Sequence, residues 1–173
     1  MIDVETLQHE WELDRLVDLC ERARPKRVLE IGSWEGGTLR RWLAFSPLRL
    51  AVVDDEMRGA NLWRAWAAVA GTHLHLIEGK SQDQGVIAAA VEHGPYDWIF
   101  LDADHRYEAG KADWAAYEPL IAPGGLFAMH DIRDYEHGNL SALWQEIRRG
   151  RRSLEILDLS VEEPWGGIGV VWN

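Results

Sequence analysis

Five short runs rich in apolar and β-branched residues, Arg27–Ile31, Leu50–Val53, His73–Ile77, Asp97–Leu101 and Leu126–Met129, recur with a longer amphipathic segment between each pair. No other feature narrows the fold as far. Short apolar runs bounded by turn formers read as strands, and apolar residues spaced three and four apart read as helices. Gly36–Ala44, Arg58–Ala70, Gln84–Glu92 and Tyr107–Leu120 have the helical spacing, as do Leu7–Cys20 before them and Leu140–Arg149 after. Strands joined through helices pair in parallel by right-handed crossovers, with helices on both faces of the sheet. Asp97–Leu101 is apolar almost throughout, as suits a central strand covered on both sides. Pro123, Gly124 and Gly125 punctuate the chain before the fifth strand. The rhythm breaks at the end, where Leu154–Leu159 and Gly167–Trp172 leave no room for a helix and should form an antiparallel hairpin at the sheet edge. The expected fold is α/β: a doubly wound, mostly parallel sheet of seven strands ending in that hairpin. No internal repeat or low-complexity linker interrupts residues 1–173, which predicts a single domain.

The formal net charge of -11 argues against a nucleic-acid partner, whose backbone the overall field would repel. Arg148, Arg149, Arg151 and Arg152 run against that balance; at the end of a predicted helix they read as a solvated cap. The one cysteine, Cys20, sits among Leu13, Leu16 and Val17 and is expected to be a buried thiol. No basic and apolar leader and no apolar run long enough for a membrane span is present, so a cytoplasmic protein is expected. The 10 tryptophans, several at helical spacing such as Trp63 with Trp66, read mostly as core or interface fillers.

In an open parallel sheet, ligands bind beyond the carboxyl ends of the strands near the point where strand order reverses. The loop after the first strand reads VLEIGSWEGGT. Gly32 can take a positive φ, and Gly36 and Gly37 open a helix whose N-terminal amides favour a carboxylate or phosphate. Glu30 immediately before them would repel a pyrophosphate but accept a hydrogen bond from an ammonium group. Asp54, about 20 residues beyond the glycines at the end of the second strand, stands where nucleotide-binding folds place a carboxylate on ribose hydroxyls. This loop resembles the first motif of class I S-adenosylmethionine-dependent methyltransferases, an E-x-G-x-G-x-G pattern. Glu30, Gly32 and Gly36 match, and Trp34 replaces the middle glycine. The resemblance implies a Rossmann-like fold, with S-adenosylmethionine contacted by Glu30, Gly32, Ser33, Trp34, Gly36 and Thr38. It also implies contacts from Ser81 and Gln82 of GKSQD near the adenine edge, and from Asp102 and Ala103.

The fourth strand delivers Asp102, Asp104 and His105 past an apolar run, and the fifth delivers His130 and Asp131 to the same sheet edge. Charged groups so placed are costly unless paired or bound. Asp102, Asp131 and His130 could hold a divalent cation: carboxylates suit magnesium or calcium, and a histidine moves the preference toward manganese or another transition metal. D-A-D-H-x-Y-E followed by P-G-G-x-x-x-x-H-D resembles a metal-dependent O-methyltransferase branch that includes macrolide sugar methyltransferases and cephalosporin-hydroxylase-like proteins. That resemblance implies magnesium on the positions of Asp102, His130 and Asp131, and His105 as general base. His130 departs from the pattern, since several relatives have a carboxylate there.

The reaction expected is methylation of a hydroxyl on a small molecule. A cation would lower the hydroxyl's pKa and His105 would take its proton, while the enzyme aligns acceptor, methyl and sulfur. Two other readings stay open: a metal-independent N- or protein methyltransferase, and a cofactor-binding subunit without turnover. With no insertion between the later strands, the acceptor site should be open, or completed by a second copy in a homo-oligomer.

Overall fold

The computed structural model describes residue 4 and residues 6–133, 138–160 and 165–173. Seven strands form one sheet: β1 (Arg27–Ile31), β2 (Arg49–Asp54), β3 (His73–Glu78), β4 (Tyr96–Leu101), β5 (Ile121–His130), β6 (Ser153–Ile156) and β7 (Ile168–Trp172). Their order is β3-β2-β1-β4-β5-β7-β6. The first five are parallel, and β7 runs antiparallel between β5 and β6. The expected hairpin is therefore present, with its last strand on the inside. Among the described residues six α-helices complete the fold: α1 (Glu10–Ala23), α2 (Gly37–Leu43), α3 (Ala60–Ala70), α4 (Gln84–His93), α5 (Tyr107–Tyr117) and α6 (Leu140–Ile147).

Alternation along each strand feeds two cores. Val28, Leu50, Val52, Trp98 and Phe100 meet α1, α2 and α3 through Leu16, Cys20, Leu39, Trp42 and Trp63. Leu29, Ile31, Val53, Ile99 and Leu101 meet α4, α5 and α6 through Val86, Ala90, Tyr117, Leu143 and Trp144. Burial on both faces is why these strands lack a polar side. Trp42, Trp63, Trp98 and Trp144 are fully buried core residues, whereas Trp11 and Trp34 are exposed. Burial also pushes the Cys20 thiol well above the usual range, as expected of an inert core thiol.

Two expectations are corrected. β5 begins at Ile121, so Pro123–Gly125 lie within the strand, and the pairing with β4 shifts register between Tyr96 and Trp98 to accommodate them. The basic run is more than a solvated cap: Arg149, Arg151 and Arg152 are exposed, but Arg148 pairs with Glu155, and Arg151 pairs with Glu118 at 3.0 Å. Arg151 also lies over Trp114 and Arg152 over Trp172. These arginines pin the end of α6 to neighbouring elements, which the acidic surplus makes easy. Among the described residues, no helix is long and apolar enough to cross a membrane.

Candidate functional site

Strand order reverses between β1 and β4, and a cleft of about 810 Å³ opens there, beyond the carboxyl ends of the parallel strands. Three loops wall one half of it. After β1 come Gly32, Ser33, Trp34, Gly37 and Thr38; after β2, Asp54, Asp55 and Glu56; after β3, Gly79–Gln82. The other half is walled by Asp102–Arg106 after β4 and by His130 and Asp131 after β5, with Thr6, Leu7, Gln8 and Trp165 at its margin.

Close backbone packing dictates the residue at position 32. Gly32 has φ +80°, and a Cβ there would lie 2.0 Å from the Asp102 carbonyl oxygen. The crossing is fixed by bonds from Gly32 N to Val53 O and from Asp102 N to Ile31 O, each 2.8 Å. Gly36 serves a different end. Its φ is +92°, and a Cβ there would strike the Trp63 indole at 2.1 Å, while that indole donates to Glu35 O at 2.9 Å. Gly36 thus makes room for a tryptophan that braces the loop, and it does not line the cleft. Trp34, in place of the pattern's middle glycine, still takes the left-handed conformation, with φ +52°. Its exposed ring lies under the Arg58 guanidinium, 4.2 Å from the ring centroid.

Asp54 accepts from the amides of Ser33 (2.7 Å), Trp34 (3.1 Å) and Glu56 (2.9 Å), so it ties the first two loops together as well as lining the cleft. Glu30 is fully buried beneath the glycine loop, not in the cleft wall. One of its oxygens accepts from the Thr38 hydroxyl, and the other is buried without a partner. Burial raises this carboxyl to about 8, against the lowering effect of Thr38. Ser81 and Gln82 both line the cleft as expected. The Gln82 amide donates to Ser81 Oγ and to Asp113 Oδ1, both at 2.8 Å, and Tyr117 donates to the Ser81 carbonyl at 2.8 Å.

The charged cluster forms as the strand ends implied. His105 Nδ1 lies 3.2 Å from Asp131 Oδ2, and its Nε2 lies 3.8 Å from Asp102 Oδ1. His130 Nδ1 lies 3.3 Å from Asp102 Oδ1 and 3.1 Å from Asp131 Oδ2. One donor atom each from Asp102, His105 and Asp131 falls within 4.8 Å of the others, a grouping suited to a metal ion. His105 therefore joins the convergent group, which the expected ligand set of Asp102, His130 and Asp131 did not include. Burial alone would lower the His130 imidazole, but the Asp102 and Asp131 carboxylates overcome it and push it up to about 10. For Asp131, burial is likewise outweighed, and the facing histidines and the Gly166 amide hold its carboxyl below the usual range. Asp104 turns away and forks onto the exposed Arg106.

The cluster has supports that no local pattern announced. The Gln8 amide donates to Asp102 Oδ2 across 94 residues of sequence. Asp131 has φ +58° and accepts from the Gly166 amide at 3.0 Å. Fully buried Glu12 accepts from the amides of Asp158 and Gly167, each at 2.7 Å, and so ties α1 to the connection before β7. Trp165, beside that double glycine, stacks on His9 with ring centroids 4.2 Å apart.

Residues 29–132 match a methyltransferase-domain family. The mycinamicin VI 2''-O-methyltransferase of Micromonospora griseorubida is 29% identical over 119 residues, covering 64% of this chain and 28% of that protein. The demethylmacrocin O-methyltransferase of Streptomyces fradiae is 27% identical over 117 residues, 61% of this chain and 27% of that protein. The chain thus spans less than a third of the length of these curated relatives. Among solved structures, an O-methyltransferase from Bacillus cereus in complex with SAH superposes with a TM-score of 0.72 at 16% identity, over 95% of this chain and 82% of that one. A mycinamycin-pathway methyltransferase in complex with Mg, SAH and mycinamycin VI superposes with a TM-score of 0.67 at 20% identity, over 96% of this chain and 50% of that one. At those identities the likeness establishes the Rossmann-like fold alone.

Proposed function

This chain belongs to the methyltransferase-domain family, and on that basis we propose that it is an S-adenosylmethionine-dependent O-methyltransferase acting on a hydroxylated small molecule with the help of a divalent cation. One observation carries the reading: a glycine-loop cradle and an Asp/His/Asp cluster open into the same cleft at the point of strand reversal. Residues 1–173 would act as one cofactor-binding domain.

The residues fit both groups. The glycine loop and the start of α2 would take the amino-acid end of such a cofactor with buried Glu30 beneath them, Asp54 would face the ribose hydroxyls, and Ser81 and Gln82 would face the base. S-adenosylmethionine would supply a methyl group activated on a sulfonium. Carboxylate oxygens of Asp102 and Asp131 converge with imidazole nitrogens, a donor set that fits a divalent ion. Magnesium is the ion named for the solved mycinamycin-pathway enzyme, and the imidazoles here move the preference toward manganese. Such a cation would supply Lewis-acid polarisation of the acceptor oxygen. Asp102 and Asp131 would hold it, and His130, kept protonated between them without the ion, would join them only on giving up that proton. His105 is half exposed at the cleft mouth; with Nδ1 directed at Asp131, its Nε2 is the atom to take the hydroxyl proton. Leu7, Trp165 and the first turn after β4 would exclude water from the acceptor side.

The test follows release of S-adenosylhomocysteine from S-adenosylmethionine with a catechol or a deoxysugar glycoside as acceptor, in manganese or magnesium. His105→Gln should lower turnover by roughly 100-fold or more while leaving S-adenosylhomocysteine affinity nearly unchanged. Undiminished turnover in both His105→Gln and Asp102→Asn, or turnover on amines in the presence of chelator, would contradict the reading.

A further inference from the structure

Asp113 lies in the middle of α5, fully buried, and belongs to neither the glycine loop nor the charged cluster. A carboxyl taken out of water in this way is costly unless it has a specific partner. Its Oδ1 accepts from Gln82 Nε2 at 2.8 Å, and the same nitrogen donates to Ser81 Oγ at 2.8 Å. One turn further along α5, Tyr117 donates to the Ser81 carbonyl at 2.8 Å. One face of this helix therefore fixes both the backbone and the side chain of the loop after β3 where that loop lines the cleft.

The consequence is chemical. A glutamine amide offers two N–H donors on one end and a carbonyl acceptor on the other, and rotation by half a turn exchanges them. Serine does not choose between the two orientations, because its hydroxyl both donates and accepts. An ionised carboxylate accepts only. Asp113 therefore forces the nitrogen end inward, commits both of its protons within the protein, and leaves Oε1 as the end of the amide left for a ligand. Burial raises Asp113 to about 6, partly offset by its bonds to Ser81 and Gln82, so above neutral pH it is acceptor-only.

We propose that Asp113 is a positioning residue that makes the cleft selective for a 6-amino purine over a 6-oxo purine, by holding the Gln82 carbonyl toward the base. An exocyclic amino group donates to that carbonyl; a 6-oxo group sets two acceptors against each other and leaves both unsatisfied. The inference rests on the cofactor reading above and adds a selection rule that depends on a residue outside the cleft wall.

The test is calorimetric titration at pH 8 with S-adenosylhomocysteine and with its 6-oxo analogue, in which inosine replaces adenosine. The wild type should prefer the amino form by roughly 10- to 100-fold. Asp113→Asn preserves size but can donate as well as accept, so it lets the Gln82 amide turn over, and the preference should shrink to within about threefold. Gln82→Met should erase the preference while the melting temperature stays close to the wild type, which keeps the test independent of any folding defect at position 113. Binding of both nucleosides with no preference in the wild type, or a preference unchanged in Asp113→Asn, overturns the inference and leaves the cofactor reading intact. Binding of neither nucleoside overturns the cofactor reading, and the inference with it.

Discussion

The two halves of the cleft are built from different materials. On the β1–β3 side, the ligand surface is mainly backbone: a loop whose shape is set by Gly32 against the Asp102 carbonyl and by three amides gathered on Asp54. On the β4–β5 side it is side chains, with Asp102, His105, His130 and Asp131 within a few ångströms of one another and held by Gln8 and the Gly166 amide. A backbone-built half tolerates little change of shape and considerable change of side chain. A side-chain-built half should show the reverse, keeping its fold while losing its chemistry one group at a time.

The sharpest way to break this contrast is Gly32→Ala. A Cβ placed 2.0 Å from a carbonyl oxygen, at φ +80°, should cost about 4 kcal/mol and abolish binding of S-adenosylhomocysteine, read by urea unfolding and calorimetry. Near-normal stability would mean that the crossing of β1 and β4 is looser than described.

Next in size is the effect of pH on Glu30, buried beneath the glycine loop. Its carboxyl is raised from an ordinary 4.5 to about 8 in the fold, so the folded state favours the protonated form. The stability it contributes is full below the unfolded value and is lost as pH rises through the folded one. Glu30→Gln cannot ionise and should not show this loss. Between pH 5 and 8.5 the wild type should therefore lose on the order of 3 kcal/mol relative to the variant. A gap between the two proteins that does not change with pH would show that Glu30 is solvated or paired.

On the other half, Asp131→Asn should weaken manganese binding, read by electron paramagnetic resonance of the free ion, ten- to a hundredfold, or roughly 2 kcal/mol. The melting temperature and metal-free S-adenosylhomocysteine affinity should stay near the wild type. If cofactor affinity fell in step with the metal, the two halves would not be separable. The smallest effect expected is Trp34→Gly, which relieves a left-handed tryptophan and should stabilise the chain by about 1 kcal/mol, offset in part by losing the Arg58 stacking.

The same contrast explains what is legible in the amino-acid sequence alone. Strands such as Asp97–Leu101 were legible because burial on both faces leaves a continuous apolar run, and the glycine loop because its constraints lie within a few residues. Asp102 and Asp131 were legible as charges at the ends of apolar strands. Gln8 on Asp102, Glu12 on Gly167 and Asp113 on Gln82 were not, since each joins residues far apart in sequence through one side chain that nothing nearby requires. Trp34 hid a conformation, because its φ is set by the loop and not by the residue. The arginines after α6 were legible as exposed charges but their partners were not, for a related reason: Glu118 and Glu155 are brought to Arg151 and Arg148 by the sheet.

The most direct test of the whole account is calorimetric titration of the wild-type chain with S-adenosylhomocysteine, with and without manganese, alongside Gly32→Arg. The account predicts micromolar binding that is lost in the variant and that does not require the ion. Absence of binding by the wild type under both conditions would contradict the assignment of the glycine-loop half to this cofactor, and with it the proposed activity.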